Sequence, residues 1–342
     1  MDLACLCRFL NGTFTSKCVL PNGEELKKAV RKEYRSLTDE ERERYHKAVI
    51  AIKANGEYDK LSMIHTTSTT SPAAHGGPGF LGWHREFIKR YEIALRTVDH
   101  TVALPYWDST IEEMLHVKQD STLWSKELMG EPDDDGYDLK EAIPPKHWLT
   151  IYQMPRFCHF ITDKAESYKK LSYTVIIKQC YNPGYWTALE YVHGRPHMFV
   201  GGHMARITAS TNDPLFWMHH AFVDLIWETW RQKHQNKQER ETQYPYDDST
   251  CSSQAHFMNN SMVPWYGKSN IHGLSNNYTD FLYEYAPRPT CNYANKTQCN
   301  SEYLFCDLSN GEPHCAAKIK IGGYCDQYIY SEFPIEGNLP HY

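Results

Sequence analysis

The chain has 342 residues, which fits one large domain or a domain with a small appendage. Its formal charge is −6, and its basic stretches alternate with acidic and apolar residues as on a solvated helix face, so it carries no nucleic-acid footprint. No run approaches the roughly 18 consecutive apolar residues that a membrane-spanning helix needs.

The first long helix is predicted over residues 38–55. Thr38 and Glu41 have the spacing of a capping box, in which the two residues satisfy each other's exposed backbone N–H groups. The helix has one apolar face, and His46 falls on the side expected to be exposed. A shorter helical segment follows and leads to His65.

A loop, SPAAHGGPG, then precedes a helix that begins at Phe80. Apolar residues recur at helical spacing from there, and His84 lies inside the apolar stripe, so it faces the core. A buried polar ring without a partner costs about 1–3 kcal/mol. Taken alone, His84 is explained well enough as a hydrogen-bonded core histidine.

Two further histidines follow at His193 and His197, whose spacing of four places them on one helix face. Pro196 is tolerated in the first turn of a helix, which predicts a helix start near His193. Asp213 and Pro214 then form a strong helix start, with aspartate at the cap and proline at the first helical position.

The helix after Pro214 reads LFWMHHAFVDLIWETW, is apolar nearly all round and is therefore predicted to be buried. It contains His219, His220 and Asp224. Two adjacent histidines and an acid are energetically unfavourable in a buried helix unless they serve a function, so chance becomes the weaker explanation.

The C-terminal part differs in composition. Tyr283 and Tyr285, followed by prolines, predict a boundary between a main domain, 1–285, and a cysteine-rich tail, 286–342. Five of the eleven cysteines lie in the tail with six to nine residues between neighbours, which favours disulfides over zinc. The odd count leaves one thiol free or paired with another chain.

Four glycosylation sequons also favour a secreted protein whose signal peptide is absent from this sequence; they start at Asn11, Asn259, Asn277 and Asn295.

Buried imidazoles on the helices of a bundle are a common way to build a metal site in a core. An all-imidazole set suits copper, zinc, iron or nickel, and ligand type alone does not choose among them. Six candidates in two groups of three favour two metals. The groups are His65, His75, His84 and His193, His197, His220.

Two stretches resemble the copper signatures of the tyrosinase family. The first is HGGPGFLGWHR at 75–85, and the second is DPLFWMHHAFVD at 213–224. Each fixes about eight positions, and they occur in the family's order. Secreted invertebrate tyrosinases are the most similar group, and the resemblance covers roughly residues 25–285.

The resemblance implies a mainly α fold, in which a four-helix bundle with long loops holds a dicopper centre and the tail is a small cysteine-rich appendage. It implies two copper ions, bound by the six histidines named above, with His219 as a neighbour of the ligands and His46 as a fallback for His65. It further implies O2 and small phenols as substrates, with protein-bound tyrosine as a further option. The expected activity is oxidation of o-diphenols to o-quinones.

The resemblance also indicates which side chains surround the substrate. Glu190 matches a glutamate that orients a water, but Gly194 stands where efficient hydroxylases often have asparagine, so slow hydroxylation of monophenols is expected. Met198 and Ile207 are expected to form the pocket wall. In relatives a C-terminal side chain can plug the site, but the short cysteine-rich tail favours a simple disulfide-stapled appendage. Two alternative functions remain: a haemocyanin-like O2-binding unit and an inactive secreted matrix protein.

Overall fold

The computed structural model describes residues 2–113, 115–132, 139–140, 189–294, 299–308 and 312–323. In these ranges the helices are α1 (Leu3–Phe9), α2 (Asp39–Ala54), α3 (Glu57–His65), α4 (Gly79–Val98), α5 (Thr110–Glu113), α6 (Leu189–Val200), α7 (Leu215–His234) and α8 (Lys237–Thr242). None of the helices in the described ranges has the length and hydropathy to cross a membrane.

The strands are short and pair two by two. They are β1 (Thr13–Phe14), β2 (Cys18–Val19), β3 (Ala29–Arg31), β4 (Glu131–Pro132), β5 (Leu139–Lys140), β6 (Tyr283–Tyr285), β7 (Leu304–Asp307) and β8 (His314–Ala317). Strands β1 and β2, β4 and β5, and β7 and β8 pair antiparallel, whereas β3 and β6 pair parallel. The pairing of β3 with β6 therefore joins residues 29–31 to residues 283–285.

The core is a helical bundle in which α4 packs against α2, α3 and α7, and α6 packs against α7. The mainly α bundle is thereby confirmed. Local signals set the helix starts: the capping box of Thr38 and Glu41 begins α2, and Asp213 Oδ1 accepts the backbone N–H of Leu215 at 3.0 Å to begin α7.

The expectation for His46 was wrong. Its side chain is buried, and its Nε2 lies 2.8 Å from the hydroxyl of Tyr34. The segment before α2 covers this part of the helix, which the periodicity of α2 alone does not reveal. His46 lies outside both histidine groups that could hold a metal.

The predicted start of α6 was also wrong. The chain is already helical at Leu189, and Pro196 lies inside the helix. An interior proline costs about 3 kcal/mol because it removes a backbone hydrogen bond and crowds the preceding turn. Burial of Val192, Phe199 and Val200 on the same helix offsets this cost.

Asp224 joins α7 to α4 and to β6. It accepts hydrogen bonds from Arg85 Nε at 2.6 Å and from the hydroxyls of Tyr283 and Tyr285, each at 2.7 Å. Arg85 directly follows His84 in α4, and Asp224 lies one turn after His220 in α7. The buried network thus fixes how the two histidine-bearing helices sit against each other.

The tail contains disulfides, as expected. Cys291 pairs with Cys306, and Cys299 pairs with Cys315. The sulfurs of Cys291, Cys299 and Cys315 lie close together, but because all three are in disulfides they are not metal ligands. The described tail also packs on the main domain, where Thr122 N–H donates to Lys318 O at 2.9 Å. Residues 324–342, which include Cys325, lie outside the described ranges.

Candidate metal centre

The first histidine group comes from three consecutive elements. His65 is the last residue of α3, His75 lies in the loop before α4, and His84 lies in the second turn of α4. One ring nitrogen from each lies within 4.8 Å of the others. The helical positions of His65 and His84 are rigid, whereas His75 depends on the loop that carries it.

Hydrogen bonds fix the orientation of two of these rings. His65 Nδ1 lies 3.0 Å from Ile207 O, and His84 Nδ1 lies 2.9 Å from Phe80 O. A carbonyl only accepts, so each Nδ1 carries the proton and each Nε2 holds a lone pair. The two Nε2 atoms lie 3.4 Å apart. Two lone pairs at this distance repel each other unless a cation lies between them, which fits a metal ion.

The second group is His193 and His197 on α6 with His220 on α7, again with ring nitrogens within 4.8 Å of one another. His197 Nδ1 donates to Met204 O at 2.9 Å, and His193 Nδ1 donates to Glu190 O. The Nε2 atoms of His197 and His220 lie 3.3 Å apart.

The structure separates the two members of the histidine doublet. His219 Nε2 lies 2.9 Å from the carbonyl of His193, so this nitrogen donates a proton and is not available to a metal. His220 points into the second group instead. His219 therefore supports the backbone of His193 through this hydrogen bond.

The two groups lie next to each other. The rings of His84 and His220 are stacked, with centroids 4.2 Å apart and planes 12° apart. Phe80 contacts His84 and His193 with ring centroids 4.8 and 4.6 Å away, and Phe216 contacts His220 at 4.2 Å. Aromatic packing thus encloses both groups and keeps their distance fixed.

Burial makes all six imidazoles neutral at pH 7. It lowers the pKa of His75 and of His197 to about 4, and it lowers the pKa values of the other four well below the usual range of histidine. Neighbouring imidazoles add to the effect for His75. Neutral imidazole is the form that binds a metal, so the donor set fits two copper ions.

A cavity of about 760 Å³ opens above the histidines. Glu190, Gly194, Met198 and Ile207 all line it, and the side chains of Met198 and Ile207 are 54% and 61% exposed. Among the described residues, a Cβ at Gly194 would meet no atom within 4 Å. There is therefore room beside Gly194 for a larger side chain.

Glu190 contacts the loop that carries His75. Its Oε1 accepts the backbone N–H of Gly76 at 2.5 Å. Burial raises the pKa of Glu190 to about 7, an effect that hydrogen bonds from Gly76 and Gly77 partly oppose. The sequence predicts a water as the partner of Glu190 and does not predict this contact with the loop.

Sequence reasoning missed one side of the cavity. Residues 249–253 and His256 line it, although they come from a polar segment without periodicity. His256 is a single histidine outside any motif, so no local signal distinguishes it. Its position follows only from the tertiary fold.

Two adjacent sets of three imidazoles at the core of a helical bundle define a protein that can bind two metal ions. A family model described as the common central domain of tyrosinase matches residues 55–155 and 138–233. A putative tyrosinase-like protein of Caenorhabditis elegans is 44% identical over 97% of this chain, which spans 49% of that protein. The tyrosinase of Streptomyces galbus is 32% identical, with 60% of this chain and 84% of the relative covered. The chain belongs to the tyrosinase family, and its cofactor is a pair of copper ions.

Solved structures support the same fold. A variant of the polyphenol oxidase from Thermothelomyces thermophila has a TM-score of 0.53 at 19% identity, with 79% of this chain and 90% of that chain covered. The tyrosinase from Burkholderia thailandensis also has a TM-score of 0.53, at 15% identity, with 76% and 74% covered. The shared feature is the helical fold that positions the histidines.

Proposed function

We propose that this chain oxidises o-diphenols to o-quinones with O2 and hydroxylates monophenols more slowly. The observation that carries the proposal is the pair of three-histidine groups directly beneath an open cavity. The copper pair supplies O2 activation and two-electron redox chemistry. The overall reaction converts two diphenols and one O2 into two quinones and two waters. One copper would be held by His65, His75 and His84, and the other by His193, His197 and His220.

The cavity residues position the phenol. Met198 and Ile207 provide apolar walls for an aromatic ring, and their exposure leaves the entrance open. Glu190 and Gly194 lie four residues apart on α6, so both face the same side of the cavity. Glu190 can orient a water that removes a phenolic proton, but Gly194 offers no second hydrogen bond to that water. Catechols, which ionise more readily than monophenols, depend less on this assistance.

The open entrance favours an oxidase over an O2 carrier with the same metal pair. A carrier must keep phenols away from the metals, whereas here Met198 and Ile207 at the cavity are each more than half exposed. All six imidazoles are retained and each group brings one ring nitrogen from every member within 4.8 Å of the others, which favours an active centre over an inactive matrix protein.

The experiment is O2 uptake by the copper-reconstituted chain in the presence of catechol. We expect continuous uptake, quinone absorbance and two coppers per chain. His220→Ala should bind one copper and lose activity at least 100-fold. The matched control, His219→Ala, should still bind two coppers and retain measurable activity, because His219 only braces His193.

Each other outcome contradicts a specific statement. Reversible O2 binding without quinone indicates a carrier, and the absence of any O2 chemistry in the two-copper protein indicates an inactive family member. Loss of copper from His219→Ala rather than from His220→Ala would reverse the assignment of the doublet.

We further propose that the protein acts in an oxidising extracellular compartment. Cys7 pairs with Cys18, the tail has two described disulfides, and Cys251 is also disulfide-bonded. The sequon asparagines Asn11 and Asn259 are exposed, whereas Asn295 lies outside the described residues. Among the described cysteines, Cys5 is a free exposed thiol. Expression through a secretory pathway should give a glycosidase-sensitive increase in mass, and an unglycosylated product would contradict this proposal.

A further inference from the structure

The loop that carries His75 needs an external support. Residues 75–79 read HGGPG, and three glycines in five residues leave the unfolded loop with many accessible backbone conformations. His65 and His84 take their positions from helices, but His75 takes its position from this loop. Whatever orders the loop therefore determines whether the first three-histidine group is complete.

His256 contacts this loop at both ends. The backbone N–H of Gly79 donates to His256 Nδ1 at 3.2 Å, so Nδ1 must be the accepting nitrogen of the ring. The ring also hydrogen-bonds the backbone of His75. Because the remaining ring nitrogen is a donor, its acceptor on His75 is the carbonyl. The imidazole of His256 thus bridges the first and last residues of the loop.

The loop backbone lies directly against the ring. A Cβ added to Gly77 would come within 2.9 Å of His256 Cγ, and one added to Gly79 would come within 3.1 Å of His256 Nδ1. The first distance is shorter than real Cβ contacts allow. Glycine at these positions therefore permits the loop to approach the imidazole.

His256 is itself held in place. It is 2% exposed, and Tyr244 OH donates to its carbonyl at 2.6 Å. The side-chain amide of Asn270 donates to the carbonyls of both neighbouring residues, Ala255 at 2.7 Å and Phe257 at 2.8 Å. These bonds make a rigid support on one side of the loop, and Glu190 contacts Gly76 from the other side.

We propose that His256 is a positioning residue for the first copper: it binds the loop backbone and thereby holds His75 in place for the metal. It is not a ligand itself, since both of its ring nitrogens are engaged with the loop and it lies outside both histidine groups. The proposal rests on His75 as a copper ligand and does not depend on which phenol is oxidised.

The test compares the affinities of the two copper sites, measured by competition with a chelator. His256→Phe keeps the ring but removes both hydrogen bonds, and His256→Asn keeps an acceptor near the position of Nδ1. We expect His256→Phe to bind one copper with unchanged affinity and the other at least tenfold more weakly, with His256→Asn in between. His272→Ala, an exposed histidine of the same segment, is the matched control and should bind both coppers normally.

Two further samples are needed: the copper-free protein, for unfolding temperatures, and His75→Ala, to test the ligand assignment. If both His256 variants bind two coppers with unchanged affinity, the proposal is overturned, even where the unfolding temperature of the copper-free protein falls. A purely structural role would produce that fall without separating the two affinities. If His75→Ala also binds two coppers normally, the ligand assignment itself is wrong. Should His256→Phe fail to fold, the intermediate affinity expected of His256→Asn decides the matter.

Discussion

At the scale of single residues, the proposed role of Gly194 is to set how well a water is held beside the copper pair. Gly194→Asn should raise the rate of monophenol hydroxylation several-fold and leave catechol oxidation nearly unchanged. The added amide gives the water at Glu190 a second hydrogen bond, worth about 1 kcal/mol. Among the described residues nothing lies within 4 Å of the new Cβ, so there is open space for the side chain to enter. The measurement is the initial rate with tyramine and with catechol.

Gly194→Ala is the control for this prediction, because it fills the same space without a hydrogen-bonding group. It should leave both rates near those of the parent chain. Equal changes of the two rates in Gly194→Asn would show that removal of the phenolic proton is controlled elsewhere.

His46 provides a prediction about pH. Burial lowers its pKa from 6.5 to about 3, with a further contribution from Arg42. Between pH 6.5 and 3 the unfolded chain protonates this histidine and the folded chain does not. The contribution of neutral His46 to the free energy of unfolding is therefore complete above pH 6.5. It is lost as the pH falls towards 3, by up to about 1.4 kcal/mol per pH unit.

His46→Gln should therefore flatten this part of the pH dependence. The measurement is urea unfolding of the copper-free proteins at pH 7 and pH 4.5. At pH 7 the unsubstituted chain should have the larger free energy of unfolding, and at pH 4.5 the difference should be smaller or reversed. The other histidines are common to both proteins and cancel in the comparison. A difference that stays constant between the two pH values would contradict the burial of His46 in its neutral form.

At the scale of helices and strands, Asp224 joins α4, α7 and β6. Asp224→Asn removes the charge that compensates buried Arg85 and should lower the free energy of unfolding by about 3–5 kcal/mol. Denaturant unfolding of the copper-free protein measures this. Glu284→Gln, in β6 and with an ion pair to Lys28 that is about half exposed to solvent, should change this free energy by less than about 1 kcal/mol. A loss below 1 kcal/mol in Asp224→Asn would show that the network is not essential for helix packing.

Helix boundaries set by local chemistry could be predicted, and those set by packing could not. The capping box at Thr38 and the start after Asp213 depend on neighbouring residues, and both were confirmed. The interior proline of α6 and the burial of His46 depend on contacts from elsewhere in the chain. Among the grouped histidines, His75, His84 and His220 lie in the two signature stretches, and the other three were predicted from their spacing and from the family resemblance. His256 has neither signal and became visible only in the fold.

At the scale of the whole molecule, the described part of the tail lies apart from the cavity above the copper centre. The described tail residues pack against α5 and the 121–124 region, and none of them lines the cavity above the histidines. Two disulfides, Cys291–Cys306 and Cys299–Cys315, hold its hairpin. A small hairpin with a limited apolar core depends strongly on such bonds, each worth about 2–4 kcal/mol.

Replacing all four of these tail cysteines by serine should therefore make the tail sensitive to protease while two coppers per chain remain bound. Limited proteolysis followed by metal analysis of the protected fragment measures both properties on one sample. Cys5→Ser, which alters a free exposed thiol, should change neither. If copper is lost as the tail unfolds, then the contact between Thr122 and Lys318 transmits order from the tail into the bundle. In that case the two disulfides belong to the support of the metal centre, and the division of the chain near residue 285 is not a functional one.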